Sequence, residues 1–390
     1  MARRKTQGHL FFLCFLAALI EGYDLQAAGV TAPKFAPQFH FDPAALAWVF
    51  SANTFGLFLG AIIGGRLADT AGRRLVLITS LAVFGAFSLA TAVSPDGAVF
   101  IALRFLTGLG LGGALPNFIA MTAEATTPEN AARRVTLVSS AMPMGGAIAA
   151  ALMVLAPAMD WRIVFWIGGL APLFLAAAML AALPESPAFQ RDRVDTVAIR
   201  QALAGEGRTR TTLLLWLAFF LNVLVLHLML NWLPSLLVGK GFAKPEAVAV
   251  ALAFTLGGAA GGLALGALAR REGRLLTYIL TWLGMAAGMA WLGLVQYNLT
   301  LAIAAGASAG FCVTGGLFLL YGLAAELYPA HLRGTGVGFA VGVGRLGSVA
   351  GPLFAGVLLV SGRTPGTVML ALVPMILIAL AAVTPLVRRR

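Results

Sequence analysis

Apolar residues fall along this chain in long, nearly unbroken blocks separated by short polar joints. A helix that crosses a bilayer needs about 20 mostly apolar residues. Twelve blocks reach that length, with approximate limits 10–35, 44–67, 75–94, 98–122, 135–157, 161–183, 211–237, 246–269, 275–296, 299–325, 335–360 and 366–387. The longest polar interruption, Pro187 to Arg210, contains RDRVD and GEGRTR and parts the blocks into two sets of six. The pattern predicts an all-α polytopic membrane protein with twelve transmembrane helices. Six lie in an N-terminal half over 1–186 and six in a C-terminal half over 211–390, joined by a linker over 187–210 that is too short for a domain.

Composition agrees with that pattern. Hydrophobic residues make up 60% of the chain, charged residues 11%, and the mean hydropathy is +0.91. A soluble domain is nearer half apolar and a quarter charged. Arg3, Arg4 and Lys5 ahead of an apolar run fit the start of a cleaved signal peptide, but acidic residues and eleven further spans follow, so an uncleaved first helix is expected. Cys14 and Cys312 sit inside apolar runs and the four histidines are scattered, which indicates neither a disulfide framework nor a metal site. No cofactor is expected beyond a coupling proton.

The net charge of +12 changes the picture only through where it falls. With the N-terminus in the cytoplasm, 20 of the 27 Lys and Arg residues lie on cytoplasmic segments, and five (Lys34, Arg162, Lys240, Lys244, Arg363) lie on the other side. This is the positive-inside asymmetry. It accounts for the basic chain without a nucleic-acid partner and puts both termini in the cytoplasm.

The halves echo one another. GRLADTAGRRL from Gly65 returns as GALARREGRLL from Gly266, a constant offset of 201, and Ala123-Glu124 returns as Ala325-Glu326. Two repeated six-helix halves with a site between them near the midplane is a common transporter plan. The chemistry is not repeated: Asp69 becomes Arg270, and Glu21, Asp24 and Arg104 align with Val223, Leu226 and a position near Gly306.

Candidate chemistry starts at Glu21-Gly22-Tyr23-Asp24, inside the first span. Glu21 and Asp24 are three apart and share a helix face, and an ionised carboxylate at the centre of a membrane helix costs roughly 2.5–3.5 kcal/mol. Arg104 and Arg345 are the two basic residues inside spans. At about 1.5 Å per residue, Asp24 and Arg104 come to nearly the same depth, with Glu21 and Arg345 close to the midplane. Asp24 and Arg104 are therefore expected to couple, as part of a substrate site or as a static ion pair. Arg345 is expected either to receive a carboxylate or to serve helix packing. An acid that shares an arginine with an anionic substrate gains and loses its proton as the anion binds and leaves, so Asp24, then Glu21, are the candidate proton sites.

Asn53, Asn222 and His227 are polar residues at intermediate depth that suit a substrate hydroxyl or an interhelical hydrogen bond. His227 is placed near a helix end. Trp48, Phe55, Trp232, Phe254 and Phe311 either line a site for a flat ring or pack. In the loop after the second span, Gly65 and Gly72 are expected to turn the chain sharply. Asp69, Arg73 and Arg74 there, with Glu124 at the end of the fourth span as a partner for Arg73, are expected either to make contacts that break and re-form as the protein switches conformation or to be solvated loop charges.

At GRLADTAGRR the chain resembles the major facilitator superfamily, whose signature between helices two and three is G-x-L-A-D-x-x-G-R-K/R. RFLTGLGLGG in the fourth span and LPESPAF after the sixth agree. EGYDLQAAG resembles the first-helix acid-Gly-x-Asp motif of the aromatic-acid/proton symporter family. With LTGLGLGGALPNFIA from Leu106 and NWLPSLL from Asn231, it is most similar to the bacterial 3-(3-hydroxyphenyl)propionate transporters. The resemblance carries the transport acids onto Glu21, where Asp is more usual, and Asp24. It carries the loop motif onto Gly65, Asp69, Gly72, Arg73 and Arg74. It implies proton-coupled uptake of an aromatic carboxylate across a bacterial inner membrane by a monomer. An efflux or exchange carrier for another organic solute is the alternative. An enzyme finds no GxSxG, HExxH or Cys/His constellation, and a membrane sensor finds no output domain.

Overall fold

The computed structural model describes residues 2–124, 134, 137–183, 205, 208–268, 274–328 and 333–388. Among them the helices are α1 (Ala2–Gln38), α2 (Pro43–Ala71), α3 (Arg73–Ala92), α4 (Gly97–Glu124), α5 (Ala141–Leu155), α6 (Arg162–Ala182), α7 (Thr209–Gly239), α8 (Lys244–Leu268), α9 (Arg274–Leu294), α10 (Leu299–Leu327), α11 (Arg333–Val360), α12 (Pro365–Leu370) and α13 (Leu372–Arg388). They supply twelve spans long and apolar enough to cross a membrane, the last made by α12 and α13 together. The interruption at Ala371 has a local cause. Pro374 cannot donate to the carbonyl of Leu370, and its ring crowds that carbonyl. The chain divides into two compact units, Met1–Arg193 and Val194–Arg390. Most of the expected linker lies outside the described residues.

Lipid tails are as apolar as leucine, so membrane helices associate through close packing of small residues. In the first unit α2 lies on α4 through Gly56, Gly60 and Gly64, where a Cβ would run into the backbone of Phe105, Leu109 and Gly113. In the second unit α8 lies on α10 the same way, Gly257 and Gly261 meeting the backbone of Ala307 and Phe311. The other main pairing is α1 with α5 and α7 with α11. Gly145 of α5 abuts Leu19 and Tyr23, and Gly347 of α11 abuts Phe220 and Leu224. These contacts set the offset at 201 between α1 and α7 and at 202 between α5 and α11.

That register corrects one sequence expectation. Glu21 corresponds to Asn222, Asp24 to Val225 and Gln26 to His227, rather than the acids to Val223 and Leu226. Few identities survive between α1 and α7, so only packing contacts reveal their alignment.

The joint after α2 corrects another. Gly72 has φ 93°, a conformation L-residues rarely adopt, and it makes the turn into α3. Gly65 does not turn the chain. It sits inside α2, where a Cβ would meet nothing within 4 Å.

Candidate functional site

Each residue of Gly22-Tyr23-Asp24 ties α1 to a different helix. Gly22 lets α1 approach α5 so closely that a Cβ would collide with the Met142 carbonyl. The Tyr23 hydroxyl donates to the Val164 carbonyl of α6 at 3.1 Å. Both Asp24 oxygens accept from Arg104 of α4, Oδ1 from Nη1 and Oδ2 from Nη2, each at 2.9 Å. The pair is fully buried, its side chains 0% and 1% exposed, and the guanidinium also lies 5.4 Å from the centre of the Phe165 ring. Parallel N–H···O bonds between two charges form the strongest common side-chain contact. Here they let an otherwise prohibitive carboxylate and guanidinium coexist inside a span. Glu21 is buried one helical turn earlier on the same strip.

Other buried polar atoms in the first unit lack protein partners among the described residues. Asn53 of α2 leaves Oδ1 unpaired, and Gln26, two residues past Asp24, leaves Nε2 unpaired. A buried polar atom without a hydrogen bond costs about 1–3 kcal/mol, so amides in this state are candidates for contacting a ligand.

The second unit gathers a different set. Asn222 of α7 is buried with both amide atoms unpartnered, its Nδ2 beside Gly316 of α10. Among the described residues it makes no interhelical hydrogen bond. His227 is buried in the middle of α7, not near its end, and its Nδ1 lies 3.1 Å from the Val223 carbonyl. Arg345 of α11 is half-buried. No acid pairs with its guanidinium among the described residues. An unpaired arginine inside a span is costly enough to indicate a function. Thus the structure joins Asp24 with Arg104 in one unit, while Arg345, Asn222 and His227 all lie in the other.

The flat-ring candidates separate. Trp232, whose Nε1 donates to the Pro352 carbonyl at 3.1 Å, and Phe254 are packed and buried, while Trp48 and Phe55 are exposed on α2. Phe311 is partly buried, its backbone against Gly261. In the loop after α2, Arg74 donates to the Leu180 carbonyl of α6 at 2.6 Å. The side chains of Asp69 and Glu124 lie outside the described residues, so their expected contacts have no observed geometry.

Gln26 and Tyr23 were not singled out from sequence. The cost argument applied to Glu21 covers Gln26 equally.

Comparison with known proteins gives a consistent placement. Residues 14–276 match the Major Facilitator Superfamily. The chain is 44% identical to the 3-(3-hydroxy-phenyl)propionate transporter of Escherichia coli over 378 residues, covering 97% of this chain and 93% of that one. It is 33% identical to the 4-hydroxybenzoate transporter PcaK of Pseudomonas aeruginosa, covering 97% and 92%. Among solved structures, a D-xylose-proton symporter superposes with a TM-score of 0.76 at 17% identity, over 94% of this chain and 96% of the other, a likeness of fold.

Proposed function

From the premise that this chain belongs to the Major Facilitator Superfamily, we propose that it takes up an aromatic carboxylate, such as 3-(3-hydroxyphenyl)propionate, together with a proton. The route is alternating access across a bacterial inner membrane, by a monomer with both termini in the cytoplasm. The observation that carries the reading is Arg345, a half-buried arginine inside a span with no acid beside it among the described residues. An organic anion supplies the missing charge through two N–H···O bonds. Both relatives are named for aromatic carboxylates, which fits such an anion.

Asp24 and Arg104 carry the coupling in this proposal. At rest the carboxylate accepts two bonds from Arg104. A substrate anion that draws Arg104 away leaves Asp24 buried without its counter-charge, and Asp24 takes up a proton. Release of the anion restores the pair and expels the proton. Glu21, on the same strip, is the second proton candidate. Asn53, Asn222 and His227 contribute hydrogen bonds to the substrate, and Gly65 and Asp69 of α2, Gly72 at the joint, and Arg73 and Arg74 of α3, with Glu124 of α4, bias the conformational switch.

Uptake of labelled 3-(3-hydroxyphenyl)propionate into proteoliposomes under an imposed pH gradient tests this. The wild-type chain accumulates the acid when the lumen is alkaline, and Asp24→Asn loses that accumulation. Uptake indifferent to the gradient eliminates symport. Accumulation by Asp24→Asn with the wild-type pH dependence removes Asp24 from the coupling step.

A further inference from the structure

Two other asparagines inside the spans satisfy their own amides. Asn117 of α4 and Asn231 of α7 each fold back so that Nδ2 donates to the carbonyl four residues earlier, Gly113 and His227, both at 2.8 Å. Asn222 has the Ala218 carbonyl at the same spacing and makes no bond to it. Its amide reaches across to α10 instead, with Nδ2 3.0 Å from where a Cβ on Gly316 would stand. A side chain at that position would push the amide off the α10 backbone. The rest of the wall comes from α9, where Met285 Cε and Thr281 Cγ2 lie 3.2 and 3.6 Å from the same point. Both are methyl groups, because the Thr281 hydroxyl turns away and donates to the Thr277 carbonyl at 2.7 Å.

Asn222 is 1% exposed, and neither Nδ2 nor Oδ1 has a hydrogen-bond partner among the described residues. Asn53 and Gln26 each leave one amide atom bare, whereas Asn222 leaves a donor and an acceptor side by side. A buried water makes about three hydrogen bonds, and the α9 tips beside this amide are methyl groups. The complement that fits is a ligand group that both donates and accepts. A hydroxyl does so, while a carboxylate only accepts and would set its charge against Oδ1. Met285, unbranched and with three rotatable bonds, is the part of the wall that can yield to admit it.

We infer that Asn222 binds a hydroxyl on the ring of the transported acid, and so makes the chain prefer hydroxylated aromatic carboxylates over bare ones. Gly316 is the positioning residue that seats the amide. The inference rests on the transport reading above, and it gives the hydrogen bond of Asn222 a partner group and a consequence for selectivity.

The test is calorimetric titration of the purified protein in detergent with 3-(3-hydroxyphenyl)propionate and 3-phenylpropionate, and thermal unfolding of the same samples. The wild-type chain binds the hydroxy acid more tightly. Asn222→Leu is expected to cut that preference about five- to tenfold, the worth of one hydrogen bond. The same variant melts at or above the wild-type temperature, because an unpaired buried amide has been exchanged for an apolar group of similar size. Gly316→Ala, with Asn222 intact, lowers the preference too, since its methyl group crowds Nδ2. Asn222→Ala replaces leucine should that variant fail to fold.

An unchanged preference in Asn222→Leu or Asn222→Ala overturns the inference and leaves the transport reading standing. A large fall in the melting temperature of Asn222→Leu also overturns it, by making the amide a strut between α7 and α10. A wild-type chain that binds both acids equally does the same. One that binds no aromatic carboxylate defeats both readings.

Discussion

Replacing Arg104 with glutamine removes the counter-charge that, among the described residues, the structure gives to Asp24. Both carboxylate oxygens bond to that one guanidinium at 2.9 Å, and the two side chains are 0% and 1% exposed. With water excluded, Asp24 is left as a buried charge without compensation, and deleting one member of a buried ion pair costs roughly 3–5 kcal/mol. Asp24→Asn has a similar cost, since arginine cannot shed its charge at all. The double variant Asp24→Asn/Arg104→Gln buries two neutral amides instead, so its loss is expected to fall several kcal/mol short of the two single losses added. Equilibrium unfolding of the purified protein in detergent measures all four corners of the cycle. A single Arg104→Gln within about 1 kcal/mol of wild type, or losses that simply add, would refute the bidentate pair as the element holding α1 to α4.

Two further outcomes follow from individual contacts. Gly22→Ala drives a methyl group into the Met142 carbonyl and should lower stability by about 1–3 kcal/mol or more. Gly65→Ala, in open space within α2, should gain roughly 0.5–1 kcal/mol; thermal unfolding of the two variants side by side checks the contrast, and equal shifts would contradict it. Tyr297 donates its hydroxyl to both oxygens of Glu246 at 3.0 Å, and that bond raises the phenol above its ordinary value of 10.0. A raised folded-state value gives stability that is complete below the ordinary value and disappears as pH climbs through the folded one. The melting-temperature gap between wild type and Tyr297→Phe should therefore be present near pH 8 and close above that alkaline range, and a gap independent of pH would refute it.

Much of the architecture was legible in the chain because each twenty-residue apolar block has one cheap destination, a helix through lipid. The Asp24–Arg104 pair was legible for the same reason: a charge in such a block needs a partner, and the first half holds one arginine at matching depth. Gly65 misled because a glycine beside a basic joint suggests a turn from sequence, whereas α2 runs through it and bends only at Gly72. His227 was placed near an end although the expected span 211–237 already set it ten residues inside, and α7, Thr209–Gly239, buries it there.

By itself the sequence determined the class, the twelve spans, the repeat and the need for buried counter-charges, since these follow from transfer costs that depend on residue type and position along one helix. Only the tertiary structure decided which helices touch and in what register. It put Gly22 against Met142, aligned Glu21 with Asn222, and set the Phe219 ring edge-on against Tyr321. Contacts of that kind depend on the angle at which each side chain leaves its helix and on which neighbour occupies that direction. Neither quantity is written along a single chain whose apolar faces all look alike to lipid.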